Sequence, residues 1–101
     1  MFNFTTSQDT TVCIGQNQFE NDQLLKEAHQ SWIWVHAQNV PSGHAIIELP
    51  LPTVAELKEV AEEIRKRCKM GMGKVIYCEV KDVKRTRTPG LVQLKKKPRI
   101  L

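Results

Sequence analysis

One long amphipathic helix is the strongest structural signal in the sequence. Pro50-Leu51-Pro52 interrupts the preceding segment, and Thr53 and Glu56 have the spacing of a capping box, in which each side chain bonds the other's free backbone amide. Apolar residues then recur at three- and four-residue steps, at Val54, Leu57, Val60, Ala61, Ile64 and Cys68. Such a stripe must be buried against another layer. We predict that the helix ends at Gly71 or Gly73.

Segments rich in β-branched and aromatic residues predict the layer that covers this helix. Residues 2–6 and 10–14 flank a short polar turn and predict a β-hairpin. Residues 32–37 and 44–49 flank a turn at residues 39–43, and we expect them to pair antiparallel. The alternation of the third segment places Trp32, Trp34 and His36 on one face of its strand.

The remaining segments complete a mixed fold. Residues 20–29 predict a short polar helix, and residues 74–80 and 91–94 predict two further strands. Thr88-Pro89-Gly90 supplies the proline and glycine of a type II turn. We therefore expect a single compact α+β domain over residues 1–101, with a mostly antiparallel sheet covered on one side by a short and a long helix.

Charge divides the chain into two unlike parts. Residues 1–50 carry a net charge of −4, whereas residues 65–101 carry +11. A polyanion is the partner that such a distribution favours. A hairpin around the turn at residues 88–90 would gather most of the late cations, namely Lys81, Lys84, Arg85, Arg87, Lys95, Lys96, Lys97 and Arg99. Two structural explanations stay open: basic residues protect edge strands, and those at residues 65–69 stabilise the helix dipole.

Short motifs along essentially the whole chain resemble a known family. In order, they are Gly15-Gln16-Asn17, Glu20-Asn21-Asp22-Gln23-Leu24, Trp32-Ile33-Trp34-Val35-His36, Pro41-Ser42-Gly43-His44, Gly73-Lys74-Val75, Val83-Lys84-Arg85 and Pro89-Gly90-Leu91-Val92. This order resembles NFACT-R, the RNA-binding module of ribosome quality-control factors, which is also found alone. The chain departs from the family pattern where Gln16 replaces Arg, Trp32 replaces Asp, and Ser42-Gly43 inverts Gly-Ser.

The resemblance implies RNA binding, with tRNA favoured, in translation or ribosome-associated quality control in the cytoplasm. It implies docking on the RNA backbone by shape and charge rather than catalysis, with the ribosome or its proteins as further partners. The residues expected to contact RNA are Lys74, Lys81, Lys84, Arg85, Arg87, Lys95, Lys96 and Lys97.

A second group of side chains is a candidate pocket. If the family's arrangement holds, a nucleotide or a terminal hydroxyl would meet Asn17, Asn21, Asp22, Trp34, His36 and His44. Alternatively, buried histidines bonded to Asn or Asp would lock the strands to the first helix, and Trp34 would be a core residue. His36, His44 and Asp22 are also the residues from which an RNA-processing enzyme could be built.

Other classes of function receive less support. Cys13, Cys68 and Cys78 are too widely spaced for a zinc cluster or a disulfide framework, and we interpret them as reduced core thiols. The histidines lack metal-ligand spacing, so we predict no metal and no cofactor. No apolar run is long enough to cross a membrane, and no signal peptide is evident. A protein adaptor acting through the acidic half and a DNA-binding domain remain alternatives.

Overall fold

A six-stranded sheet forms the centre of the molecule. The computed structural model describes residues 1–38, 42–68 and 73–101. The main sheet has the order β1-β2-β4-β3-β5-β8, β6 and β7 form a separate hairpin, and every described strand pair is antiparallel. The strands are β1 Phe2–Thr5, β2 Thr11–Ile14, β3 Ile33–Ala37, β4 Ala45–Ile47, β5 Val75–Glu79, β6 Val83–Arg85, β7 Val92–Leu94 and β8 Arg99–Ile100. The helices are α1 Gln18–Glu27 and α2 Val54–Arg67, with a single 3₁₀ turn at Val80–Asp82. The expected α+β class is confirmed.

Helix α2 covers one face of the sheet through the predicted stripe. Leu57, Val60, Ala61 and Ile64 are buried against alternate residues of β2, β3 and β4. The capping box between Thr53 and Glu56 is present. Val54, which we placed on the stripe, is instead 62% exposed, and the buried stripe begins at Leu57. The helix also ends at Arg67, before Gly73, while Gly71 and Lys69 lie outside the described residues.

A fully buried carboxylate joins α2 to the first hairpin. Glu56 accepts a hydrogen bond from the hydroxyl of Thr6 at 2.8 Å, and Glu59 accepts two from Ser7, each at 2.9 Å. Hydrogen bonds, chiefly from the Thr10 hydroxyl, hold the pKa of Glu56 below its usual value. The carboxylate therefore stays ionised in the interior and fixes the turn between β1 and β2 on the helix.

Helix α1 and the β6–β7 hairpin cover the opposite face of the sheet. Leu24 and Leu25 of α1 pack with Trp34, Ile76 and Val83, so the two helices lie on opposite faces. Our expectation that both helices would cover one side is wrong. The physical reason is that β3 is apolar on both faces, as a central strand must be when each face is covered.

Predictions for the ends of helices, strands and turns were less accurate. Helix α1 begins at Gln18 rather than at residue 20, because the Asn17 side chain caps it by accepting from the Glu20 amide at 2.9 Å. The second turn was predicted at residues 39–43, of which 39–41 lie outside the described residues. Strand β6 was predicted only as a basic stretch, and β8, two residues long, was not predicted.

The type II turn that joins β6 to β7 has the expected geometry. The Leu91 amide donates to the Thr88 carbonyl at 3.1 Å, and Gly90 has a φ of 83°. A Cβ at Gly90 would lie 2.9 Å from Cβ of Gln18, at the start of α1. Glycine therefore permits both the turn and its close contact with the helix.

Candidate nucleic-acid interface

The β6–β7 hairpin presents a cationic groove on its outer side. Val83 and Leu94 are paired and pack into the core, whereas the next pair, Lys84 and Gln93, points outward. Lys84, Arg85, Thr86, Arg87 and Gln93 line a shallow groove of about 500 Å³. Three of the expected RNA-contact residues therefore lie together on one surface.

Arg85 differs from its two cationic neighbours because it is already paired. Its Nε donates to Oδ1 of Asp22 at 2.9 Å, and its Nη2 donates to Oδ2 at 2.8 Å. The bidentate bond to Arg85 lowers the pKa of the Asp22 carboxyl, and it fastens the hairpin to the middle of α1. Asp22 is thus used in a structural pair and does not complete a site with the histidines.

The other cations near the hairpin lie among acidic groups. Nζ of Lys81 is 3.6 Å from Oε2 of Glu79. Lys95 lies beside Asp82 in the chain packing, because its backbone amide donates to the backbone carbonyl of Asp82 at 2.8 Å. A second groove, of about 210 Å³, combines both signs of charge in Glu79, Asp82, Lys96, Lys97 and Arg99. The structure separates these lysines from the groove at Lys84.

Lys74 lies in a third place, beside α2. It lines a depression of about 540 Å³ together with Lys58, Glu62 and Arg65. Six of the eight expected contact residues therefore line three separate depressions. Lys84, Arg85 and Arg87 line the first, Lys96 and Lys97 line the second, and Lys74, which was not part of the hairpin argument, lines the third. Lys74 immediately precedes β5, and Lys96 and Lys97 precede β8. Because β5 and β8 pair antiparallel, these two positions lie at opposite ends of the strand pair.

The basic residues at the end of α2 are engaged within the helix. Arg65 pairs with Glu62, Nζ of Lys66 lies 3.4 Å from Oε1 of Glu63, and Nη1 of Arg67 lies 2.6 Å from Oε2 of Glu63. The Arg67 guanidinium also lies 3.6 Å above the centre of the Phe2 ring. These contacts favour the structural interpretation of this cluster.

Three candidate pocket residues form a buried aromatic cluster on the α1 face of the sheet. The rings of Trp34 and His36 stack with centroids 5.4 Å apart, and the His44 ring meets the His36 ring edge-on at 4.9 Å. Burial, and then the neighbouring His36, lower the pKa of His44 to about 4, and burial also lowers the pKa of His36. Both imidazoles are therefore neutral at neutral pH. Trp34 is a core residue, as the structural alternative proposed.

A cleft beside this cluster is lined by three of the six candidate pocket residues. Oδ1 of Asn21 accepts from the His44 amide at 3.1 Å, and a Cβ at Gly15 would lie 2.1 Å from that same oxygen. The cleft has a volume of about 540 Å³ and is lined by Asn21, residues 16–18, residues 42–44 and residues 88–91. Asn17, Asn21 and His44 line it as expected. Asp22, Trp34 and His36 are not among the lining residues.

Sequence reasoning missed eight of the eleven described residues that line this cleft. Gln16, Gln18, Ser42, Gly43 and the turn at residues 88–91 were not proposed as pocket residues. The available signal was Gly90, since a glycine in a turn permits another segment to approach closely. The sequence did not indicate that the approaching segment is the start of α1.

Cys13 and Cys78 keep their thiols protonated at neutral pH, because burial opposes the charged thiolate. Burial, then the nearby Glu48, raises the pKa of Cys13 to about 11, and burial with the charge of Asp82 raises that of Cys78 to about 11. Both thiols pack against the core on the α1 face. Within residues 1–38, 42–68 and 73–101, no three His, Cys, Asp or Glu side chains are grouped as a metal site. The helices of that same part of the chain are also too short or too polar to cross a bilayer.

Comparison with known proteins identifies related sequences. The family model of the NFACT protein RNA binding domain matches residues 1–96. The Rqc2 homolog RqcH of Streptococcus suis is 33% identical over 60 residues, which are 58% of this chain and 11% of the relative. RqcH of Streptococcus pneumoniae R6 is 26% identical over 82 residues, 79% of this chain and 15% of the relative. Coiled-coil domain-containing protein 25 of Danio rerio is 24% identical over 99 residues, 85% of this chain and 48% of the relative.

One solved structure shares the fold. The C-terminal part of the fibronectin/fibrinogen-binding protein from Streptococcus suis superposes with a TM-score of 0.87 at 22% identity. The match covers 98% of this chain and 43% of that chain. The chain thus spans less than half the length of the relatives it matches.

Proposed function

Because the chain belongs to the family of NFACT protein RNA binding domains, we propose that it binds structured RNA, and tRNA in particular, without catalysing a reaction on it. The similarity to RqcH proteins supports a role in translation or ribosome-associated quality control. Such a role places the chain in the cytoplasm, with the ribosome or its proteins as further partners.

The observation that carries the proposal, beyond family membership, is the cationic groove on the β6–β7 hairpin. Within the part of the chain that the structure describes, Lys84 and Arg87 form no ion pair, so their charges can meet phosphates. Arg85 lies between them, balanced by Asp22. Neutralising phosphates with Lys and Arg releases counterions, and this release supplies most of the affinity of docking that does not depend on base sequence.

A salt titration with tRNA tests this mechanism. If about six phosphates are neutralised, the logarithm of the affinity falls against the logarithm of salt concentration with a slope near −4 to −5. Lys84→Gln should make that slope less steep by about one, because one phosphate contact is lost. Lys66→Gln removes the same charge from an exposed position on α2 that is paired with Glu63, and it should leave the slope unchanged. Binding that does not depend on salt, or equal effects of the two variants, would contradict the proposal.

The arrangement of Asp22, His36 and His44 supports RNA binding rather than catalysis. The RNA-processing site considered from the sequence combines Asp22 with His36 and His44, but the two oxygens of Asp22 are instead bonded to Arg85. His44 is only 3% exposed. We therefore expect tRNA to remain intact when it is incubated with the protein. Cleavage that disappears in a His36→Ala variant would instead favour the RNA-processing enzyme.

A further inference from the structure

We infer that the cleft between the start of α1, residues 42–44 and the turn at residues 88–91 receives one unpaired base of the bound RNA. The inference rests on the proposed function, because it assigns a second contact to the same ligand. It adds recognition of a single-stranded nucleotide to a domain that otherwise binds the RNA backbone.

The lining of the cleft suits a nucleobase better than a phosphate. The cleft has a volume of about 540 Å³, and the eleven described residues that line it include no acid, lysine or arginine. Pro89, Gly90 and Leu91 give one wall an apolar surface, whereas the side chains at residues 16–18 give the other wall amide groups. A base has the same combination of a flat apolar face and an edge of hydrogen-bond donors and acceptors.

The amide groups on the polar wall have hydrogen-bonding capacity left. Asn17 and Asn21 each use the side-chain oxygen within the protein, toward the amides of Glu20 and His44 respectively, and their NH₂ groups make no hydrogen bond with any residue that the structure describes. The side chains of Gln16 and Gln18 make no hydrogen bond with any residue that the structure describes. Donors and acceptors are therefore both available to the edge of a base.

The walls are fixed, and the cleft adjoins the cationic groove. Gly15 packs against Asn21, and Gly90 packs against Gln18, so the backbone itself sets the width of the cleft. Arg87 lines the groove and the next residue, Thr88, lines the cleft. An RNA strand whose phosphates lie along the groove thus passes the mouth of the cleft, where one base can turn inward.

Two RNAs with equal numbers of phosphates separate this inference from the proposed function. One is a stem closed by a single-stranded loop, and the other is a fully paired duplex. We expect the loop RNA to bind about tenfold more tightly, which is about what two hydrogen bonds to the edge of the base would contribute. The double variant Gln16→Ala, Gln18→Ala should lower the affinity for the loop RNA to that for the duplex, without changing the affinity for the duplex.

The controls give each outcome one meaning. Gln30→Ala removes an exposed amide outside the cleft and should have no effect, and thermal unfolding verifies that the double variant is folded. If parent and double variant bind both RNAs equally, the base-binding cleft is overturned while RNA binding stands. A double variant that weakens both RNAs to the same extent also overturns it. If the parent binds neither RNA, the proposed function itself fails.

Discussion

Acidification should destabilise the protein through His44, before its carboxylates take up protons. The unfolded chain protonates this histidine near its ordinary pKa of 6.5, whereas the folded chain does so only near 4, because burial and the neighbouring His36 oppose the charge. A folded pKa below the unfolded one means that the full stability is present above pH 6.5 and is lost as the pH falls toward 4. Between pH 7 and pH 5 the loss from His44 alone is about 2 kcal/mol.

Urea unfolding at the two pH values, followed by tryptophan fluorescence, measures this loss. Trp34 is buried against the histidines, so its emission should report the transition. His44→Phe keeps an aromatic ring but cannot take up a proton. The variant should therefore lose about 2 kcal/mol less free energy of unfolding between pH 7 and pH 5 than the parent does. His36 should account for part of what remains, since burial lowers its pKa as well. A parent whose stability is flat across this range, or a variant with an undiminished loss, would refute the argument.

Three further perturbations test the structural contacts. In a double-mutant cycle, the effects of Asp22→Ala and Arg85→Ala on the free energy of unfolding should be coupled, and the coupling should shrink as the salt concentration increases. Either change should also expose the β6–β7 hairpin to proteolysis. Additive effects would contradict the pair. Gly90→Ala should lower the free energy of unfolding, measured by chemical denaturation, by about 1–2 kcal/mol because the residue has a positive φ. Gly73→Ala is the control and should not lower it, because a Cβ at Gly73 meets no atom within 4 Å. Glu56→Ala should cost about 2–3 kcal/mol in the same assay, since a buried hydroxyl loses a charged acceptor, and a loss below 1 kcal/mol would argue against that bond.

The sequence predicted the elements that are specified by their own residues. The capping box at Thr53 and Glu56, the first hairpin and the turn at Gly90 each depend on contacts within a few positions, so spacing alone reveals them. The antiparallel pairing of β3 with β4 followed from their order and from the turn between them.

Contacts between distant segments could not be predicted in the same way. Asp22 and Arg85 are 63 positions apart, and nothing in either segment marks the other as its partner. Asn21 and Asp22, which are adjacent in the chain, were predicted to lie in the same candidate pocket. On a helix, however, consecutive residues point in different directions, so Asn21 turns toward the cleft and Asp22 toward the hairpin.

The cationic surface was misjudged for a related reason. The cations on either side of the turn at residues 88–90 were expected to gather in one hairpin. Lys84 lies on β6, whereas Lys96 and Lys97 follow β7 and lead to β8 at the edge of the main sheet. The acidic groups that interrupt the surface, Glu79 and Asp82, are only two residues in the sequence but line the same groove as those lysines.

The buried carboxylate of Glu56 bears on how the chain is completed during synthesis. Its partner Thr6 is made 50 residues earlier, and Ser7 precedes its own acceptor, Glu59, by 52. Until α2 has emerged from the ribosome, the first turn has no acceptors for these hydroxyls and β1 and β2 have no helix to cover them. The corner formed by β1, β2 and their turn therefore cannot become fixed before α2 is made, although its own residues are translated earlier than the helix.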